Sequence, residues 1–278
     1  RTATAKALQQ TAVDWLSDGV YVLEVHPFAE YTTLTSSADR SLLPEVDSSG
    51  KVSFPEIQRT TLSNGLTVLL AERHAVPIVT MDLMIDAGYS ADYWGTPGLA
   101  KLTLDMLDEG TTRATALEIS DMLAMLGAEL GTSSTMDFST VSLSALKANL
   151  TESLDLYADI VLKPAFDADE FERLRQQQLA AIEQEKVSPR SLSNRILPKV
   201  IFGDDHPYGG SSTGSGTQES VSGISVDGPG EFHATWFKPG SASIVIAGDT
   251  TLEEIVPLLE DAFGKWKSGT APDKEIPE

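Results

Sequence analysis

The chain has 278 residues, 41% of them hydrophobic, which is enough for a packed core in one large or two modest domains. Its 20 Lys and Arg against 41 Asp and Glu leave a formal charge of −21, so it lacks the basic footprint that nucleic acid or an anionic membrane would require. The absence of cysteine excludes a disulfide or a thiolate zinc site, and no apolar run approaches the roughly 18 to 20 residues of a membrane span, so no membrane insertion is expected.

Residues 1 to 54 read as an arm or interdomain linker. Ala3 to Val13 carries a helical pattern, Val20-Tyr21-Val22-Leu23-Glu24-Val25 a strand pattern, and Ser36 to Lys51 is rich in Ser, Asp, Pro and Gly. The chain opens on Arg1, which suggests a processed product or an excised fragment. Residues 55 to 278 are expected to form one αβ domain. Thr61 to Leu70 reads as a hairpin through the Asn64-Gly65 turn, and Val79, Met81, Leu83 and Ile85 alternate with Thr80, Asp82, Met84 and Asp86 as a strand with a buried face. A short half-buried helix then opens at Pro97-Gly98, with Leu99, Leu102, Met106 and Leu107 on its apolar face and Gly110 as its stop.

Leu117, Met122, Leu123 and Leu126 mark a second helix ending at Gly127, Val141, Leu143 and Ala145 a further strand, and Leu150, Leu154, Tyr157 and Val161 a helix closed by Pro164. A helix over Phe171 to Lys186 is followed by a polar loop region around Asp204 to Gly230. A short helix at Phe232 to Phe237, a buried strand at Ile244-Val245-Ile246 and an amphipathic helix from Leu252 to Trp266 complete the pattern. Strands and helices interleave without βαβ regularity. This favours an α+β fold, a two-layer α/β sandwich with a mostly antiparallel or mixed sheet and helices on one face.

The frame Gly98-Leu99-Ala100, Met106-Leu107, Gly110-Thr111 resembles the active-site helix of the pitrilysin and insulinase zinc peptidases, which include the mitochondrial processing peptidase. The family writes Gly-Leu-Ala-His-x-x-Glu-His-Met-Leu: two histidines one helical turn apart reach Zn²⁺, and the glutamate deprotonates the metal-bound water. Here those positions hold Lys101, Leu104 and Asp105. Lysine has no lone pair to give and leucine cannot accept a proton, which leaves Asp105 as the one residue of the three able to ligate a metal. Aligning the later helix on its Ser188-Pro189 ending places the family's third ligand at Ala181, with Glu183 and Glu185 displaced around the helix. Asn64-Gly65-Leu66, Phe237-Lys238-Pro239 and Ile246-Ala247-Gly248-Asp249 extend the resemblance from about Phe54 to Trp266, and Trp15 to Phe28 resembles the end of a preceding half.

The resemblance implies a non-catalytic domain from the second half of a double-length, bacterial and periplasmic member. It would have no cofactor or metal of its own, with zinc in a catalytic half or partner. Partners would be the preceding and following domains or a catalytic homologous subunit, together with peptide substrates. The alternatives are an active peptidase with a rebuilt site, in which Asp105 and Glu183 hold a cation, and a pure scaffold subunit. A simpler use of the vacated positions is an i, i+4 ion pair between Lys101 and Asp105.

Other signals read more simply as structure. Histidines 26, 74, 206 and 233 have no ligand spacing, and the Gly-x-Ser-x-Gly pattern at Gly210 to Gly214 lacks a preceding strand and reads as a flexible loop. Asn149-Leu150-Thr151 is a chance sequon, and Glu183, Glu185 and Lys186 read as a solvated helix face.

Overall fold

The structure, a computed structural model, describes residues 4–17, 19, 22–24 and 55–277. The chain divides into two compact units, residues 1–52 and 53–278. In the first, helix α1 spans Ala5–Leu16, three residues beyond its expected end. Thr4 caps it by accepting from Ala7 N–H at 3.2 Å, and none of its residues is buried. Half of the strand expected at 20–25 falls outside the described residues, and Val22, Leu23 and Glu24, which are described, lie in no strand.

The second unit is built on a six-stranded sheet. Strands β1 (Ile57–Thr61) and β2 (Thr67–Glu72) form the hairpin expected from Asn64-Gly65, with Gly65 at φ +98°, in the left-handed region that favours glycine. Strand β3 (Ile78–Ile85) leads through a 3₁₀ turn, Tyr89–Trp94, to α2 (Leu99–Asp105) and α3 (Ala116–Leu126). Thr115 and Glu118 form a reciprocal capping box that starts α3, and Gly127 at φ +62° ends it. Then follow β4 (Glu129–Ser134), β5 (Ser139–Leu146), α4 (Leu150–Leu162), α5 (Ala168–Val187), α6 (Pro189–Phe202), α7 (Gln218–Ser222), α8 (Gly228–Trp236), β6 (Ala242–Gly248) and α9 (Leu252–Phe263).

The sheet order is β1-β2-β6-β3-β5-β4. The β2–β6 pair is parallel and the others antiparallel, so the sheet is mixed. Val68 and Leu70 of β2, Val79, Met81, Leu83 and Ile85 of β3, Val141 and Leu143 of β5, and Ile244 and Ile246 of β6 are buried. They pack with Leu154, Tyr157 and Val161 of α4 and Ile255, Leu259 and Phe263 of α9 in one core. Each such side chain contributes about 1.5–3 kcal/mol by leaving water. The intervening residues, including Thr80, Asp82, Ser142 and Ser144, stay at least partly exposed, so one face of the sheet is covered and the other is open. Among the described residues, no helix is long and apolar enough to cross a membrane.

Several expectations need correction. Strand β4, Glu-Leu-Gly-Thr-Ser-Ser, has little strand propensity and is held by its ladder to β5. Helix α6 contains Pro198 and was not expected. Its Pro189 sits in the first helical position, where no backbone N–H is needed. The region 204–230 carries α7 and the start of α8 rather than loop alone. Val245 points to the open face and is exposed, so β6 is buried on one side only. Helix α9 stops at Phe263, short of Trp266.

Candidate functional site

The two elements that should carry chemistry are α2 and α5. Helix α2 has seven residues and opens at Gly98, φ +98°, where a Cβ would come within 2.8 Å of Gln178 Nε2 and Val221 Cγ2. Asp92, from the preceding 3₁₀ turn, satisfies its first N–H groups. Its Oδ2 accepts from Gly98 N–H at 2.8 Å and its Oδ1 from Ala100 N–H at 2.9 Å. Asp92 is only 5% exposed. Burial pushes its carboxyl up to about 8, against the lowering pull of the Ala100, Gly98 and Leu99 amides.

Helix α2 is enclosed rather than half-buried. Ala100, Leu102, Thr103 and Leu104, with Met106 and Leu107 beyond its end, are all buried, and the helix finishes at Asp105, five residues before Gly110. Lys101, Asp105 and Asp108 form the stripe that stays partly open, at i, i+4 and i+7. Lys101 Nζ lies 2.8 Å from Asp105 Oδ2, with the side chains 37% and 35% exposed, so the ammonium and the carboxylate occupy the open face together. Burial raises the Asp108 carboxyl, and the nearby Glu109 and Asp105 charges add to this. Leu104, which the resemblance aligns with the family's proton acceptor, is 1% exposed and belongs to the main core.

Helix α5 lays Phe171, Leu174 and Ile182 against Leu102 and Met106 in a second apolar cluster. Gln178, buried on the same face, donates through Nε2 to Gly98 O at 3.0 Å and Ser215 O at 2.9 Å, tying α5 to the start of α2 and to the loop before α7. Ala181 is exposed beside buried Ile182 and offers only a methyl group. Glu183 turns to Lys186 Nζ at 2.6 Å and Gln218 Nε2 at 2.8 Å. Each carboxylate of the Asp105–Glu183 cation alternative is therefore committed to a lysine. The residues here do not fit zinc: an ammonium faces the sole carboxylate of the ligand positions, Leu104 is enclosed, and Ala181 has no donor atom. Among the described residues, no group of three or more His, Asp and Glu is arranged to hold a metal ion.

Glu185 departs from its expected place on a solvated face. Its Oε2 lies 2.5 Å from Arg195 Nη1 and accepts from Ser215 Oγ at 2.9 Å, while Arg195 Nη2 donates to Gly216 O at 2.6 Å. These bonds pin the 210–216 loop to α5 and α6, so it is held rather than flexible. Ser212, the serine of the Gly-x-Ser-x-Gly pattern, donates to Asn194 O at 2.8 Å, and its carbonyl accepts from Tyr89 O–H at 2.9 Å, which builds structure and not a nucleophile. Asn149 of the sequon donates to Leu126 O at 2.7 Å and is engaged in joining α4 to the end of α3.

Three of the histidines are described, and they stand apart. His74 Nδ1 lies 2.7 Å from Asp249 Oδ1 and Nε2 3.2 Å from Glu72 Oε2; the bond to Asp249 and then that to Glu72 raise its pKa. His206 Nδ1 accepts from Tyr208 N–H at 3.0 Å. His233 donates to Val161 O at 2.7 Å and stacks on Phe237, and burial lowers its pKa. Asp92, Gln178 and Arg195 were not singled out from the sequence. Each acts across a distance of 6 to 80 residues, where no local pattern signals a partner.

Comparison with known proteins fits this geometry. Residues 67–203 match the model of the insulinase family (peptidase family M16), and residues 230–278 that of the peptidase M16 inactive domain. An uncharacterised zinc protease of Mycobacterium leprae is 27% identical over 206 residues, spanning 74% of this chain and 46% of the relative. The non-peptidase homolog YmxG of Helicobacter pylori is 24% identical, over 73% of this chain and 46% of its own length. The crystal structure of a peptidase M16 inactive domain from Pseudomonas fluorescens superposes with a TM-score of 0.75 at 30% identity, over 80% of this chain and 53% of that one. This chain thus spans about half the length of the curated relatives it matches. With its six-stranded sheet, enclosed α2 frame and α5 packed against it, the chain belongs to the insulinase, or M16, peptidase family and has the character of its inactive domain.

Proposed function

We propose that this domain is a catalytically silent part of an M16 peptidase chamber, supporting peptide contacts while zinc chemistry is carried out by another half or subunit. The observation that carries the reading is the Lys101–Asp105 ion pair on the open stripe of α2, where the family's ligands would stand. Edge strand β4 adds support. Among the described residues it pairs only with β5, and α2 packs beside it. An unpaired strand edge offers N–H and C=O groups to an extended peptide. On this reading residues 1–54 link to a preceding domain, residues 55–278 are the processing-peptidase-like domain, and the chain partners the neighbouring domains or a catalytic homologue. A bacterial, periplasmic setting follows by resemblance alone. The similarity to a non-peptidase homolog favours a second reading, a scaffold that docks a catalytic partner without touching substrate.

A fluorogenic unstructured peptide incubated with this chain should read as buffer. Cleavage that persists through exhaustive purification and is abolished by Asp105→Ala would overturn the silent-site reading. Crosslinking of a substrate peptide to β4 in the assembled protease favours the chamber wall, and its absence favours the scaffold.

A further inference from the structure

Asn64-Gly65 is the sequence most prone to asparagine deamidation, because glycine has no Cβ to hinder attack by its own backbone nitrogen on the asparagine side chain. An Asp-Gly turn would suit the hairpin between β1 and β2 as well as Asn-Gly does. The fold nevertheless uses every polar atom of the asparagine amide. Asn64 is 6% exposed, its Nδ2 donates to Phe263 O at 2.8 Å and Trp266 O at 3.4 Å, and its Oδ1 accepts from Leu66 N–H at 3.1 Å. The attacking atom is also engaged, since Gly65 N–H donates to Leu62 O at 3.0 Å. Asn64 therefore clasps the hairpin to the C-terminal end of α9.

We propose that Asn64 is a deamidation site gated by folding, whose product cannot restore the clasp. When the end of α9 parts from the hairpin, the Gly65 nitrogen, losing its proton to solvent base, bonds to Asn64 Cγ. The Cγ–Nδ2 bond breaks and ammonia leaves, giving a succinimide. Water then opens the ring to aspartate or isoaspartate, with no change of oxidation state. An aspartate in this place turns carboxylate oxygens toward the Phe263 and Trp266 carbonyls, so two acceptors lose their donor and face a charge of their own sign. Isoaspartate also lengthens the backbone of a turn whose register is fixed at Thr61 opposite Thr67.

The test compares the full chain under native buffer at pH 8 and in urea beyond its unfolding midpoint, followed by peptide mass spectrometry and isoaspartyl methyltransferase labelling. Asn64 should convert more than about tenfold more slowly in the native protein, because reaction waits on local opening. Asn149 and Asn194, followed by Leu150 and Arg195, serve as slow internal references in both arms. Equal rates at Asn64 in native buffer and urea, or no conversion in urea, would overturn the gating. A chain bearing Asn64→Asp should unfold at lower urea than the wild type or fail to fold, and a midpoint equal to wild type would overturn the one-way clause.

Discussion

Lys101 and Asp105 show what a surface ion pair does and does not contribute. At about one-third exposure the pair is screened, and a double-mutant cycle with Lys101→Ala and Asp105→Ala should give a coupling of about 0.3–0.5 kcal/mol, read from urea midpoints. A coupling near zero would mean that the two charges share a face without pairing. Asp92 is a different case, being enclosed and bonded to the start of α2. With its folded pKa raised to about 8 from 3.8, the native state keeps a proton that the unfolded state has lost. The stabilisation is full below about pH 4 and is lost as pH rises toward 8. Asp92→Asn cannot titrate, so the stability gap between wild type and this variant should narrow between pH 4 and pH 8. A gap that stays constant from pH 4 to pH 8 would show that the α2 amides hold Asp92 ionised in the fold.

The regular elements were legible where periodicity and punctuation agreed, as in the Asn64-Gly65 hairpin, the alternation of β3 and the Gly127 stop of α3. The sequence was silent where tertiary contact supplies the structure. Strand β4 owes its conformation to β5, the enclosure of α2 comes from packing on both sides, and Asp92 serves Gly98 from outside the helix. The residue types at Lys101, Leu104, Asp105 and Ala181 were legible, whereas the burial of Leu104 was not, because a seven-residue helix has too little sequence for its faces to be separated. That burial shapes a prediction at the level of α2 and α5. Lys101→His with Asp105→His should bind zinc weakly, and adding Ala181→Glu should tighten it markedly by completing three protein ligands. Leaving Leu104 in place avoids a carboxylate in the core, so the variant should fold, hold metal and still fail to cleave peptide. Calorimetric zinc titration checks the series. If Ala181→Glu adds nothing while Glu183→Ala weakens the histidine pair, Glu183 is the residue that faces the site.

At the scale of the whole molecule, α6 presents an apolar face that the 53–278 unit leaves uncovered. Leu192, Ile196 and Val200 recur at i, i+4 and i+8, flanked by Leu197 and Ile201, and Val200 is 73% exposed. Scattered apolar residues on a surface need no explanation, but a continuous stripe on one helix marks an interface. The charge of −21 opposes the approach of a second copy, and screening at physiological salt, with a Debye length of about 8 Å, weakens that opposition without removing it. The chain should therefore self-associate weakly, more at high salt than at low, and bind the further M16 portion that the proposed function assigns to it as a partner more tightly than it binds itself. Sedimentation velocity at several salt concentrations, with and without that portion, measures both. Ile196→Asp with Val200→Asp should abolish either association while changing stability by no more than about 0.5 kcal/mol per site, since Ile196 is half exposed and Val200 mostly so. A chain that stays monomeric at high concentration and high salt and ignores the added portion would mean that the α6 stripe is covered by neither.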